Sequence, residues 1–141
     1  MSFAADVGKF ATGAVSKVER TRRAVVLELF GAIIKSTPVS DPETSPGAIH
    51  GRLRSNWQSS INSPLTGELP MRGEAAALGE AQAAAAAAKG DDTVYLRNNL
   101  PYAARIEFDG WSHQKAPAGM MRINVARFRR ILESKAREGR P

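Results

Sequence analysis

The chain has no cysteine and no long apolar run. The lack of cysteine excludes disulfide bridges, cysteine-ligated zinc and a thiol nucleophile. No stretch approaches the ~18–20 apolar residues of a membrane-spanning helix. Asp6 and Glu19 interrupt the N-terminal pattern, which is unlike a signal peptide. We therefore expect no membrane association.

Large apolar residues are scarce as well. Although 43% of the 141 residues are hydrophobic, 23 residues are alanine, and Ile, Leu, Val and Phe together number only 29. That fraction lies close to the level of about one-fifth below which a chain rarely sustains a core. We expect a single domain, 1–141, with a thin core that gains part of its burial from neighbouring subunits.

Residues suited to catalysis or metal binding are few and scattered. The two histidines, His50 and His113, lie in predicted loops without carboxylates at ligand spacing. Ser112 is adjacent to His113, so the imidazole cannot lie behind the hydroxyl as in a catalytic triad. Glu107 and Asp109 can face the same way, but we interpret Glu107 as a structural carboxylate that pairs with an arginine or caps the following turn. Glycine-rich phosphate-binding motifs are absent, so the sequence predicts no enzyme, cofactor or metal site.

The N-terminal segment, 1–36, predicts one long amphipathic helix. It is free of proline until Pro38, and apolar residues recur at helical spacing at Phe3, Val7, Phe10, Ala14, Val18, Val25 and Leu29. At 1.5 Å per residue the helix is about 50 Å long, which is more than one small domain can cover. We expect part of its apolar stripe to face another subunit. Its glycines, Gly8, Gly13 and Gly31, favour a frayed start or a bend.

The middle of the chain predicts a loop, a strand and a second helix. Residues 37–51 are rich in Pro and Gly and predict a loop. Residues 53–61 suit a strand with Trp57 on its apolar face, although the same spacing also suits a helix. Residues 74–89 contain ten alanines and predict a helix that is capped by Gly90.

The remaining elements are short. In order, they are a strand at 93–97, a short helix or irregular turn at 102–108, a loop at 109–119, an edge strand at 120–123, and a final helix at 124–137 capped by Asn124. The predicted fold class is α+β, with a long N-terminal helix and shorter helices packed on a small, mainly antiparallel sheet within 52–123.

Positive charge is concentrated at the C-terminal end of the chain. The net charge is +6, and residues 120–141 carry seven Lys and Arg against two Glu. Such a basic helix face can be solvated, lie near phosphate groups or contact an acidic partner. A helix-turn-helix is not predicted, because the loop before Met120 does not supply the first helix.

Three blocks of the sequence are distinctive. The long helix runs into Thr37-Pro38-Val39, the second block is Gly51-Arg52-Leu53-Arg54-Ser55-Asn56-Trp57, and the third runs from Val94-Tyr95-Leu96-Arg97-Asn98-Asn99-Leu100-Pro101-Tyr102-Ala103 through Glu107 and Gly110 to Ser112, Gln114, Pro117, Gly119, Met120 and Arg122. Together they resemble the gene-product-ten-like neck proteins of tailed bacteriophages, a group of minor tail components, head–tail connectors and tail-completion proteins. That family shows the patterns TPVDTG-x-LR-x-x-W and NNLPYA…E-x-G…S-x-Q-x-P-x-GM-x-R. The chain departs from them by an inserted stretch, 40–50, in which Asp41 is nearest to the family's Asp, and by apparent additions at Asp109 and Lys115.

The resemblance implies a structural virion protein without catalysis. It would assemble in the host cytoplasm into a six-fold or twelve-fold homo-oligomeric ring at the head–tail junction. Its partners would be the phage portal or adaptor and the tail tube or tail terminator proteins, with genomic DNA passing through the channel non-specifically. A tail terminator or tail-completion protein is an alternative within this class. A basic DNA-binding packaging accessory protein is a second class, and a small enzyme is a third.

The shared blocks also select candidate interaction or structural residues. These are Arg54, Trp57, Asn99, Pro101, Tyr102, Glu107, Trp111, Gln114, Pro117, Met120 and Arg122. We expect Trp57 to anchor the sheet to the long helix and Pro101-Tyr102 to fix a turn. Glu107 is expected to pair with an arginine, for example Arg54 or Arg122. The loop 111–120 is expected to clasp a neighbouring subunit.

Overall fold

The long N-terminal helix is present and continuous. The protein, seen here as a computed structural model, is described over residues 2–109 and 119–138, and the side chains of residues 12, 14, 15 and 134–138 are outside the description. Helix α1 spans Phe3–Ser36. The Ser2 hydroxyl caps it by accepting a hydrogen bond from the Ala5 amide at 3.2 Å, and Thr37 is the C-cap. The glycines expected to fray or bend this helix do not interrupt it.

The other elements are much shorter than α1. In chain order they are α2 Arg52–Ser55, β1 Trp57–Ile61, α3 Glu74–Ala87, β2 Val94–Asn98, α4 Ala103–Phe108 and α5 Met121–Glu138. Within the described residues, β1 and β2 form one antiparallel pair whose register runs from Trp57 opposite Asn98 to Ile61 opposite Val94. The arrangement is α+β, as predicted, with helices dominant.

The predicted strand at 53–61 is confirmed only in its second half, and the predicted edge strand at 120–123 is wrong. Residues 52–55 form a helical turn, and the strand begins only at Trp57. Asn56 ends that turn, because its Nδ2 donates to the carbonyl of Arg52 at 2.9 Å and its backbone lies at φ −89° and ψ 3°. In the predicted edge strand at 120–123, residues 121–123 are instead the start of α5. The sheet therefore occupies less of 52–123 than the sequence predicts.

Two predicted helix caps are wrong as well. Asn124 lies in the first turn of α5 rather than before it, and its Nδ2 donates to the carbonyl of Met120 at 2.6 Å. Helix α3 ends at Ala87 and Ala88 is its C-cap, so Gly90 lies beyond the cap. An Asp92 carboxylate oxygen accepts from the Lys89 amide at 2.8 Å, which holds the chain in a turn directly after α3.

The core lies between the second half of α1, α3 and the sheet. Its buried members are Ile33, Ile34, Leu53, Trp57, Ala77, Ala81, Leu100, Ala103, Ile106 and Met120. Ala77 and Ala81 let α3 approach α1 closely, but an alanine contributes little apolar area. The few large side chains therefore supply most of the hydrophobic stabilisation, at roughly 1.5–3 kcal/mol for each fully buried aliphatic residue.

Side chains close the edge of β1 that faces away from β2. The Arg72 guanidinium donates to the carbonyls of Ser55 and Trp57, both at 2.8 Å. The Glu80 carboxylate accepts from the Ser59 amide at 2.6 Å and pairs with Arg72 at 3.1 Å. A strand edge with unpaired backbone groups can recruit another strand. Because Arg72 and Glu80 bind the Trp57 carbonyl and the Ser59 amide, they disfavour the addition of another strand at this end of β1.

Candidate assembly surfaces

The first group of candidate residues meets where α1 ends. Buried Thr37 donates from Oγ1 to the carbonyl of Ile33 and accepts from Trp57 Nε1, both at 2.7 Å. The Thr37 carbonyl accepts from Arg54 Nε at 3.0 Å and from Nη2 at 2.8 Å. Arg54 also forms an ion pair with Glu74 in the first turn of α3 at 3.3 Å. These contacts, which we call the Thr37 junction, tie the long helix to α2, β1 and α3.

The Asn99–Tyr102 segment holds the loop that precedes α3. Asn99 Nδ2 donates to the carbonyls of Leu65 at 3.0 Å and Gly67 at 3.1 Å. Pro101 is exposed in the turn, and Tyr102 is half-buried at the start of α4. Burial raises the pKa of the Tyr102 hydroxyl; the positive charge of Arg52 lowers it and the negative charge of Glu68 raises it, and the net shift is upward. This segment therefore shapes a turn and a loop.

The second group forms around Glu107 and the N-terminus of α5. The carboxylate accepts from the amides of Met120 at 2.6 Å, Met121 at 2.8 Å and Arg122 at 2.8 Å. Arg122 Nε donates to the same carboxylate at 3.1 Å, and its Nη2 donates to the Glu107 carbonyl. We call this group, with Gly119, the α5 clasp. Of the two arginines expected as partners of Glu107, Arg122 is the one that pairs, and Arg54 lies at the Thr37 junction.

The α5 clasp holds a charged carboxylate in a nearly closed site. The Glu107 side chain is only 10% exposed. Burial raises the pKa of Glu107, but the hydrogen bonds from three backbone amides and from the Arg122 side chain lower it by more, so the pKa lies below its ordinary value. The first amides of a helix lack partners within the helix and carry partial positive charge. Glu107 supplies both the acceptors and the opposite charge.

Gly119 makes room for this carboxylate, and Gly119→Ala is expected to lower the free energy of unfolding by about 2 kcal/mol. Gly119 has φ +89°, and an added Cβ would lie 2.7 Å from the Glu107 carbonyl oxygen and 2.8 Å from Oε1. Strain at positive φ alone costs roughly 1–2 kcal/mol. Urea denaturation measures the change. Gly79→Ala is the matched control, since Gly79 lies within α3 with nothing within 4 Å of the added Cβ, and a helical alanine there should add up to about 1 kcal/mol. Equal stability of the Gly119→Ala variant and the parent would contradict this geometry.

Several residues singled out from the sequence lie outside the described residues. These are Trp111, Gln114 and Pro117, together with Ser112 and His113.

The other histidine, His50, has a structural contact: its Nδ1 lies 2.6 Å from Ser40 Oγ, so this hydrogen bond joins the two ends of the inserted stretch 40–50. In the part of the chain that the structure describes, no three His, Asp or Glu side chains cluster in a way that suits a metal ion. None of the helices within 2–109 and 119–138 is long and apolar enough to cross a membrane.

The first half of α1 exposes a row of apolar side chains. We call residues 3–18 the N-terminal arm. Phe3 is 83% exposed and Phe10 is 78% exposed, and Val7 and Val18 are exposed on the same side of the helix. Farther along α1, Val26, Ile33 and Ile34 are buried in the body of the protein. The apolar stripe predicted along α1 therefore divides into a buried half and an exposed half.

Polar contacts mark where α1 begins to pack on the body. The Glu19 carboxylate accepts from the Gly90 amide at 2.9 Å. Arg22 Nη1 donates to the carbonyls of Gly90 at 2.8 Å and Asp92 at 3.0 Å. These bonds connect α1 to the turn after α3, and the N-terminal arm projects beyond them.

Helix α5 exposes a second apolar row. Val125, Ile131 and Leu132 are between 40% and 43% exposed, and Phe128 between them is half-buried. We call these four residues the α5 stripe. A shallow groove beside it is lined by Met121, Arg122, Val125, Ala126, Arg129, Arg130 and Glu133. The sequence indicates the apolar stripe of this helix, but it does not indicate that the stripe lies in solvent.

The candidate surfaces therefore comprise two hydrogen-bonded groups, the Thr37 junction and the α5 clasp, and two apolar rows, on the N-terminal arm and on α5. Arg72 and Glu80, which bind backbone groups of β1, are not predicted from the sequence, although Glu80 is notable as a charge within an alanine-rich helix. The need for glycine at position 119 is not predicted either, because it depends on a contact with a carboxylate that is distant in the sequence.

Comparison of the chain with known protein families, with curated proteins and with solved structures finds no match.

Proposed function

We propose that this protein is a structural subunit of the head–tail junction of a tailed bacteriophage, where copies of it form a ring between the portal-adaptor complex and the tail. The exposed apolar row of the N-terminal arm carries this proposal. A helical segment of this length is marginal in water unless its apolar face is packed. Contiguous exposed apolar surface is also the usual mark of an interaction site. An assembly that covers the arm meets both requirements.

The resemblance to phage neck proteins supports the location. Its sequence blocks fall on the Thr37 junction, on the segment before α4 and on the α5 clasp. At the first and the last of these places, buried hydrogen bonds fix one element against another, and at the second, exposed hydrogen bonds from Asn99 hold a loop. Residues that fix the structure in this way suit a structural subunit of an assembly. A tail terminator or tail-completion protein, seated slightly lower in the particle, would use the same contacts.

The basic surface of α5 favours a second candidate function, a DNA-binding packaging accessory protein. Arg127, Arg129 and Arg130 are exposed on this helix. Contacts to the phosphate backbone of duplex DNA need such positive charges but no particular base sequence. The affinity of such binding falls steeply as the salt concentration rises. Tight, salt-dependent binding of the monomer to random duplex DNA would favour this second function over the ring.

Purified virions provide the test of the proposed role. We expect the chain to copurify with phage particles in a fixed ratio to the portal protein, and labelled antibody to mark the head–tail junction in electron micrographs. We also expect its gene to lie near those for portal, terminase and capsid proteins. Antibody against the major capsid protein is the control, because it should label the head. Absence of the chain from mature particles would contradict the proposed function.

A further inference from the structure

We propose that the N-terminal arm of one copy docks on the α5 stripe of a neighbouring copy, with the two helices antiparallel. The inference rests on the proposed assembly role and names the two surfaces that make the contact. Both surfaces are apolar rows on helices: the arm row is exposed, and the α5 stripe has three exposed side chains and half-buried Phe128.

The side-chain spacing of the two rows matches. On the arm, the row from Phe3 advances by four residues and then by three; on α5, the row read backwards from Leu132 also advances by four and then by three. Alternating steps of three and four place side chains along one seam of a helix, where they interlock with the seam of a second helix. The facing pairs in antiparallel order are Phe3 with Leu132, Val7 with Phe128, and Phe10 with Val125. Each phenylalanine then faces an aliphatic residue, which suits close packing of large against smaller side chains.

The arm cannot reach α5 of its own chain. Asn124 Nδ2 donates to Ser36 Oγ at 2.7 Å, so α5 begins beside the C-terminal end of α1. Phe10 lies near the opposite end of α1, about 39 Å from Ser36 along a helix that rises 1.5 Å per residue. Because α1 is one continuous helix, it holds the two rows apart. Contact between them therefore requires two copies.

A second copy of the chain accounts for both exposed rows with one repeated contact. Pairing of arm with arm would cover the arms and leave the α5 stripe in water. Docking of the arm on α5 joins two different surfaces, so each subunit gives an arm to one neighbour and receives an arm from the other. Contacts of this head-to-tail kind generate closed rings when the rotation between subunits closes.

The surface area that one such contact can bury is small for a stable complex of two subunits. A phenylalanine can bury roughly 150–250 Å², so one arm on one α5 stripe covers on the order of 800–1,000 Å² in total, below the ~1,200 Å² typical of stable complexes. A subunit within a ring makes two such contacts. We therefore expect weak association of isolated pairs and strong association of the closed assembly.

Disulfide cross-linking tests the docking, because the chain has no cysteine of its own. Purified Phe10→Cys and Val125→Cys variants are mixed and oxidised over a series of protein concentrations. We expect covalent dimers in this mixture and in the mixture of Phe3→Cys with Leu132→Cys. The crossed mixture of Phe3→Cys with Val125→Cys should give few, since these positions lie about 10 Å apart along the seam and a disulfide needs Cβ atoms about 3.5–4.5 Å apart. Phe10→Cys with Arg127→Cys is the matched control, because Arg127 lies on the opposite side of α5.

The outcomes decide between the possible contacts. Equal cross-linking of Phe10→Cys with itself would show that arms pair with arms and would overturn the proposal. Preferential cross-linking of the crossed mixture would overturn the antiparallel order, and no cross-link at any concentration would overturn the docking altogether. Circular dichroism of each variant checks that the fold is intact. All substituted positions lie in α1 or α5, and Phe3 is the first residue of α1, so loss of helical signal would report a disturbed fold. These results concern the purified chain alone. Absence of the chain from virions would overturn the proposed function without altering them.

Discussion

Replacing Trp57 by alanine is expected to reduce the free energy of unfolding by about 3–5 kcal/mol, the usual range for removing a large aromatic side chain from a core. The effect should be high in this range because the core has few large members and Trp57 contacts the residues that join α1 to the sheet. Small domains are stable by only about 5–15 kcal/mol. We therefore expect the variant to unfold at a much lower urea concentration than the parent, as followed by circular dichroism.

Two further substitutions separate the packing of Trp57 from its hydrogen bond. Thr37→Val keeps the shape of the side chain but leaves Trp57 Nε1 without its acceptor at 2.7 Å, which should cost about 1–3 kcal/mol. Trp57→Phe removes the donor but keeps an aromatic ring. If the hydrogen bond matters as described, the double variant is less destabilised than the sum of the two single variants.

Phe108→Ala is the control for loss of an aromatic ring as such. Phe108 is 66% exposed, and its ring lies 5.0 Å from the Arg122 guanidinium. Loss of an exposed contact of this kind should cost less than about 1 kcal/mol. A Trp57→Ala variant no less stable than Phe108→Ala would contradict the central place of Trp57 in the core.

The elements that are predictable from the sequence are those whose signals are local. The α1 helix is predicted by the helical spacing of its apolar residues and by its end before Pro38, and α3 is predicted by its run of alanines. Trp57 is predictable as an anchor candidate because it is the largest apolar side chain of its segment in a chain where large apolar residues are scarce. These properties follow from neighbouring residues or from composition.

The start of α5 is not predictable in this way. A local search for a helix cap finds Asn124, a residue type that often caps helices. The acceptors for the first amides of α5 come instead from Glu107, which lies thirteen residues before Met120 in the sequence and on another helix. Once those amides are bound, residues 121–123 continue as helix and the expected edge strand does not form. A cap that depends on tertiary contact leaves no local pattern.

Exposure of an apolar stripe is equally hidden from the sequence. The arm and α5 carry the same kind of spacing as the buried part of α1, and periodicity reports only that a helix has an apolar side. Whether that side is covered depends on what lies beside it. For α1 the covered part begins near Glu19 and Arg22, whose partners are the turn residues Gly90 and Asp92. Neither of these long-range pairs is visible in the spacing of residues along the chain.

Glu107→Gln is expected to lower the free energy of unfolding by about 2–4 kcal/mol, because a glutamine cannot accept from three backbone amides and Arg122 at once. Its NH2 group would face two of these donors, either the amides of Met120 and Met121 or the amide and Nε of Arg122. A buried backbone donor left without a partner costs about 1–3 kcal/mol. Glu133→Gln is the matched control, since Glu133 pairs with Arg129 at 3.8 Å on the exposed face of α5. Pairs of this kind contribute about 0.3–0.5 kcal/mol, so the control should behave like the parent.

The contribution of Glu107 should also depend on pH in a defined direction. The pKa of Glu107 is lower in the folded protein than the ordinary value of 4.5. A carboxyl with a lowered folded pKa binds protons more readily in the unfolded chain, so its stabilising effect is complete above that ordinary value and is lost as the pH falls through the folded pKa. The stability difference between the parent and Glu107→Gln should therefore be constant near neutral pH and shrink in acid, whereas the Glu133→Gln difference should stay small throughout. Urea denaturation of the three proteins from neutral pH downward measures both differences. A Glu107→Gln difference that stays constant into strong acid would show that charge at the α5 clasp contributes nothing, and that its carboxylate acts through shape alone.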